Sequence, residues 1–213
     1  MGKTAIVLGA TGVVGREVVD LLADNQAIDN IVTITRRNVE HSSAKVHNHI
    51  VDFEQLDQYP ELFKGDFLFS CLGTTLKQAG SIAAQRKVDF DYQYVAATLA
   101  AGQHVPHYLL VSSVMADPES RSPYLKMKGE LEREILQLPF RHISIFRPSV
   151  LLGEREGLRI GETIASWVFF AVSSLPFLRK YRPITGEQVA KKMVAVSQNP
   201  NEAVEILAWD EIF

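Results

Sequence analysis

A chain of 213 residues, 46 % of them apolar and with a formal net charge of −3, has the size of one α/β domain or of one domain with a small appendage. That charge offers no basic surface for a nucleic acid, and the single cysteine, Cys71, excludes an intrachain disulfide framework. The first apolar run is only strand-length, and the longest uncharged stretch, Thr163 to Leu178, is too short for a membrane span and holds Pro176, so a cytoplasmic chain with neither signal peptide nor span is expected.

Thr4 to Leu8 has the length and apolarity of a buried parallel strand. Gly9, Gly12 and Gly15 follow at G-x-x-G-x-x-G spacing and lead into helix-compatible sequence, Arg16 to Ala23. A strand, a glycine turn and a helix in that order can cradle phosphates. Gly9 permits the tight turn, Gly12 lets the backbone approach a pyrophosphate, and Gly15 lets the helix pack closely on the sheet, while the helix N-terminus presents free N–H groups. The competing reading is a βα turn that merely uses glycine; the strand before and the helix after favour a dinucleotide site.

The sequence then alternates. Strands are expected over Ile31 to Thr35, Val46 to Val51, Asp66 to Leu72, Tyr108 to Ser113 and Ile143 to Phe146, with helices over Val88 to Ala101 and Tyr124 to Leu136. The Val46 run is the weakest, because His47, Asn48 and His49 interrupt it. This alternation predicts an α/β fold, a parallel sheet with helices on both faces. After Arg147-Pro148 the rhythm changes: a loop through 153–160, an apolar helix from Gly161 to Val172, an amphipathic one from Gly186 to Ser197, and a last strand from Val204 to Leu207. Ligands of open α/β sheets lie beyond the carboxyl ends of the strands. Residues 153–185 are therefore expected to form a small substrate-side cap on a single domain spanning 1–213.

Several side chains at those strand ends can carry chemistry. Arg36 and Arg37 stand about 20 residues past the glycine turn, where an acidic residue would bind the ribose of NAD; a guanidinium there suits a 2′-phosphate and points to NADP. Asp52 can accept from an adenine amino group or N-cap a helix near Gln55. Gly73 lets the backbone lie against the cofactor, whereas Cys71 reads as a small buried residue with no basic partner near in sequence. Tyr124 and Lys128 share a helix face at i, i+4. An ammonium beside a phenol favours the phenolate and makes it usable as a proton donor or acceptor, and the lysine can also reach ribose hydroxyls. Ser113, or its neighbour Ser112 on the other side of the strand, can hydrogen-bond a carbonyl oxygen. The six histidines show no paired metal spacing, so no metal is expected.

Gly9-Ala-Thr-Gly12-Val-Val-Gly15, Thr35-Arg36-Arg37, Val51-Asp52-Phe53-Glu54, Cys71-Leu-Gly-Thr-Thr75, Val88-Asp89 with Asp91-Tyr92, Ser112-Ser113, Tyr124 with Lys128-Gly129-Glu130, and Phe146-Arg147-Pro148 with Leu151 together resemble the short-chain dehydrogenase/reductase superfamily. The match is to its atypical branch and is closest to the Tat-interactive-protein oxidoreductase subfamily. The resemblance implies a Rossmann-type doubly wound sheet binding NADPH. It also implies that Thr11, Gly12, Val13 and Val14 contact the phosphates, Arg36 and Arg37 the 2′-phosphate, Leu72 and Gly73 the ribose side, and Leu151 and Arg159 the cofactor from the start of the cap. Asp89 stands where larger relatives often have asparagine.

These readings converge on an NADP(H)-dependent oxidoreductase passing hydride between NADPH and a small, apolar carbonyl compound. Tyr124 would be the proton donor, Lys128 its tuner and Ser113 the group orienting the carbonyl. The alternatives are an NADPH-binding redox sensor with little turnover and, given the short segment after the sixth strand, less readily a sugar-nucleotide epimerase. The expected partners are a small-molecule substrate, no nucleic acid, and at most a second copy of the chain, as monomer or homodimer.

Overall fold

The computed structural model describes residues 2–149, 151–152 and 183–212. Strand β1 (Lys3–Leu8) lies in the interior of the sheet because it is apolar on both sides: Ala5 and Val7 enter one core, Ile6 and Leu8 the other, all fully buried. In chain order the other strands are β2 (Ile28–Thr35), β3 (Val46–Ile50), β4 (Phe67–Ser70), β5 (His107–Val111) and β6 (His142–Arg147). The short β7 (Leu151–Leu152) and β8 (Ile184–Thr185) precede β9 (Val204–Ala208). Seven of these form one parallel sheet in the order β3-β2-β1-β4-β5-β6-β9, while β7 and β8 pair separately.

The helices are α1 (Gly15–Asp24), α2 (Leu76–Ala79), α3 (Ile82–Arg86), α4 (Tyr92–Gly102), α5 (Pro123–Ile135) and α6 (Gly186–Gln198). Val18, Val19 and Leu22 of α1 and Val189, Ala190 and Met193 of α6 fill one face of the sheet. Ala96, Ala97 and Ala100 of α4 and Leu131 and Ile135 of α5 fill the other. The sheet and its two helical layers are those expected from the sequence, with strand ends shifted by a few residues. The helix expected from Val88 is altered: Lys87–Asp91 form a π turn, and α4 proper begins at Tyr92. Residues 153–182 lie outside the described residues, and with them the expected apolar helix and most of the expected cap. The last residues of that cap, Ile184 and Thr185, are β8, and Thr185 starts α6 with a capping box to Gln188.

At the amino edge of the sheet a polar row crosses three strands. His107 Nε2 and Ser144 Oγ are 2.9 Å apart, and Ser144 Oγ donates to Glu205 Oε1 at 3.0 Å. Burial, with His142 and Lys3 adding to it, pushes His107 down to about 4, so the ring is neutral and donates through Nε2. Among the described residues no helix is long and apolar enough to cross a membrane.

Candidate functional site

The turn after β1 is shaped by what it has no room for. Gly9 has φ of +75°, and a methyl on it would lie 2.5 Å from the Cys71 carbonyl oxygen. A methyl on Gly15 would stand 2.1 Å from the Gly9 carbonyl oxygen, so α1 meets the strand end at a distance only glycine allows. Gly12 is less confined, at 3.2 Å from the same oxygen, to which its own N–H donates at 2.9 Å. Thr11 is exposed, Val13 half-buried and Val14 buried at the head of α1, which starts with no side-chain cap. An uncapped helix start beside a turn stripped of side chains fits the phosphates of a dinucleotide. Gly186 supports this turn from the other end of the chain: a methyl on it would lie 2.2 Å from the Val13 carbonyl oxygen.

Arg36 and Arg37 stand exposed just past β2. Their loop is tied from beneath. Thr35 Oγ1 donates to the Arg37 carbonyl at 2.7 Å, and Asn48 Nδ2 donates to the hydroxyls of Thr33 at 2.9 Å and Thr35 at 2.8 Å. Val39 N–H donates to Asn48 Oδ1 at 3.1 Å. Asn48, one of the polar residues that weaken β3 as a sequence signal, thus holds the arginine loop. Asp52 caps the 3₁₀ turn Phe53–Gln58, accepting the Glu54 N–H at 3.0 Å. Beside it, Glu54 Oε1 accepts from Lys87 Nζ and from the Tyr92 hydroxyl, each at 2.6 Å, and the Phe53 and Tyr92 rings meet edge-on at 5.5 Å. Burial, then the Glu54 carboxylate, push the Tyr92 phenol up to about 12.

Beyond β4, Leu72 is half-buried and Gly73 exposed. Burial pushes the Cys71 thiol up to about 12 against the opposing charge of Lys128, so it stays protonated and is no nucleophile at neutral pH. Beyond β5 the two serines part. Ser112 is buried and donates to Glu132 Oε1, a carboxylate that also accepts from Arg147 Nε at 3.0 Å. Ser113 is half-buried and, among the described residues, donates to the neighbouring Val114 carbonyl at 3.2 Å. Tyr124 is half-buried in the first turn of α5. Lys128, one turn on, is 2 % exposed, with Nζ 3.1 Å from Asp89 Oδ1 and 3.4 Å from the Val111 carbonyl oxygen.

The strand order brings these pieces to one edge. β1 and β4 are neighbours where the order reverses, the crevice in which ligands of open α/β sheets lie. Gly9 touches the Cys71 backbone there, and Lys128 and Asp89 follow at the ends of β5 and β4. Leu151 lies in β7, paired with Ile184, while Arg159 is outside the described residues. Sequence reasoning missed three contributors: Gly186, the Glu132–Arg147 pair that takes up Ser112, and Asp89 as the partner of Lys128. Asp89, Gln85 and Gln93 share one helix face at every fourth position, but with Arg86, Lys87 and Asp91 between them nothing in the sequence marks them as buried.

The profile of the NAD dependent epimerase/dehydratase family matches residues 5–168 of the chain. Protein HTATIP2 of Rattus norvegicus is 38 % identical over 178 residues, covering 82 % of this chain and 72 % of its own. The protein named FMP52, mitochondrial, of Eremothecium gossypii is 34 % identical over 216 residues, covering 98 % of this chain and 95 % of its own. Among solved structures, MoeE5 in complex with UDP-glucuronic acid and NAD superposes with a TM-score of 0.75 at 15 % identity, covering 97 % of this chain and 76 % of its own. The UDP-glucuronic acid 4-epimerase of Bacillus cereus, with its substrate and NAD, gives 0.72 at 13 % identity over 97 % of this chain and 77 % of its own. At such identities the superpositions establish the fold.

Proposed function

The chain belongs to the NAD dependent epimerase/dehydratase family, and from that premise we propose that it is an oxidoreductase that binds NADPH and reduces a small, apolar carbonyl compound. What supports this reading is that the glycine cradle with its uncapped helix follows β1, while Ser113, just past β5, and Tyr124 and Lys128 of α5 follow β5 at the same carboxyl edge of the sheet. NADPH, when bound, supplies hydride chemistry. The rest falls to side chains. Thr11 to Val14 offer N–H groups to the phosphates, Arg36 and Arg37 pair with a 2′-phosphate, and Asp52, Leu72 and Gly73 border the adenosine and ribose. Ser113 holds the carbonyl oxygen, and Tyr124 gives it a proton as negative charge builds there. Lys128 lends positive charge behind the phenol, and Leu151, just before the cap, and Arg159, at its start, reach the cofactor, the cap being residues 153–185 of a single domain.

The experiment is NADPH oxidation, followed by absorbance, across aldehydes, ketones and quinones. Tyr124→Phe removes a hydroxyl and almost no volume, so NADPH binding is retained while turnover falls by about 10²–10⁴-fold, the usual share of general acid–base catalysis. Full activity in the phenylalanine variant would remove Tyr124 from the reaction. The engagement of Lys128 by Asp89 favours one second reading, an NADPH-binding sensor. Tight NADPH binding without turnover of any carbonyl selects it. We place the protein in a reducing compartment, the cytoplasm; because the Eremothecium relative is named mitochondrial, cell fractionation is the test.

A further inference from the structure

Gln85, Asp89 and Gln93 are 5 %, 1 % and 0 % exposed and recur every fourth residue from α3 through the π turn into α4. Buried polar side chains are destabilising unless bonded, and all three are bonded toward β4 and the turn that follows it. Gln85 Nε2 donates to the Thr74 carbonyl at 3.3 Å, Thr74 N–H donates to Asp89 Oδ2 at 3.1 Å, and Ser70 Oγ donates to Gln93 Oε1 at 2.8 Å. Both backbone groups of Thr74 are therefore held, next to Gly73. The π turn that aims Asp89 is itself supported: Gln93 Nε2 reaches the carbonyls of Val88 at 3.3 Å and Asp89 at 3.1 Å.

The second oxygen of Asp89 has no hydrogen bond and no other ion partner than Lys128 among the described residues. A buried ion pair adds little stability over a well-packed apolar pair of equal volume. What it does is fix a cation at one spot. The Lys128 ammonium has Asp89 on one side and the Val111 carbonyl on another, at the junction of the β4 and β5 ends. We propose that Asp89 is a positioning residue for the cofactor site: it sets the place of the Lys128 ammonium, while its other oxygen holds the Leu72–Thr74 turn. This rests on the reading of the edge as an NADPH site.

Asp89→Asn isolates the first arm, because the amide oxygen still accepts from Thr74. NADPH dissociation constants are measured by nicotinamide fluorescence for the unmutated protein, Asp89→Asn, Lys128→Met and the double variant. Each single variant binds NADPH about tenfold more weakly. The double variant binds within about twofold of Lys128→Met alone, because Asp89 acts through the lysine. A structural role alone would weaken binding by the same factor in both backgrounds, and a full hundredfold product, or unchanged affinity in Asp89→Asn, overturns the proposal. Thermal melting without cofactor guards against a folding artefact. Each single variant leaves one charge buried without its partner and lowers the melting temperature by about 10 °C, and the double variant regains part of that loss. Additive losses also overturn it. An unmutated protein that binds no NADPH fails differently: it removes the NADPH reading and the cofactor role of Asp89, and the melting cycle alone then reports on the pair.

Discussion

Around β1 the carboxyl edge of the sheet is made by backbone: Gly9 in a left-handed conformation, Gly15 with no space for a methyl, and a helix that begins uncapped. Around β4 and β5 the same edge is made by side chains arriving from three segments: Gln85, Asp89 and Gln93 from one stretch, Lys128 and Glu132 from α5, and Arg147 from β6, the last two behind Ser112. The first region is specified by exclusion, where any added atom collides. The second is specified by pairing, where any removed atom leaves a buried group without its partner. The two should therefore respond to opposite kinds of change: insertion on one side, deletion on the other.

The largest effect is expected from insertion. Gly12→Val puts three carbons where the proposed site has phosphates approach, while its first carbon needs only a few tenths of an ångström from the Gly9 carbonyl. NADPH and NADH binding should both fall below detection by fluorescence titration with circular dichroism unchanged. Retained affinity in the folded variant would place the nucleotide elsewhere. A smaller effect sharpens the pairing side, at the opposite edge of the sheet. The folded protein takes up a proton on His107 only near pH 4, whereas an unfolded chain does so near its ordinary value of 6.5. The unfolded state thus binds more protons in that window, and stability is lost as pH falls through it, by about 3 kcal/mol at the acid end. His107→Gln, which keeps a donor for Ser144, should flatten that slope in urea melts, and an equal slope in both proteins would assign it to other groups. The smallest effect lies on exposed charges. Arg36→Ala with Arg37→Ala should remove a preference for NADPH over NADH of about tenfold, the scale of one charge-assisted hydrogen bond. Equal affinities before mutation would take the arginines out of cofactor choice.

The same contrast explains what could be read from the sequence. The glycine turn is contiguous, so its strand, turn and helix announce themselves within a dozen residues, and the alternating sheet follows from periodicity alone. The sequence does not divide Ser112 from Ser113, because strand alternation says that they face opposite ways without saying which side holds Glu132. The π turn at Lys87–Asp91 has no local marker; it depends on Gln93 bonding its carbonyls and on Ser70 bonding Gln93. β7 and β8 are two residues each, too short for any period to show. Asp89 differs in the sequence from the asparagine of larger relatives, but nothing there marks it as the partner of Lys128, since that pairing exists only once α5 has docked beside the π turn.

Gly186 carries a consequence for the order in which the molecule becomes competent. Its close approach to the Val13 carbonyl joins residues more than 170 positions apart, so the glycine turn is backed only after α6 has docked against α1. Contacts so distant along the chain form late, after the entropy of closing the intervening loop has been overcome. A chain emerging from the ribosome would thus display its glycine turn well before α6, and ligand binding in a refolding time course should appear with the final phase, behind the formation of helix and sheet.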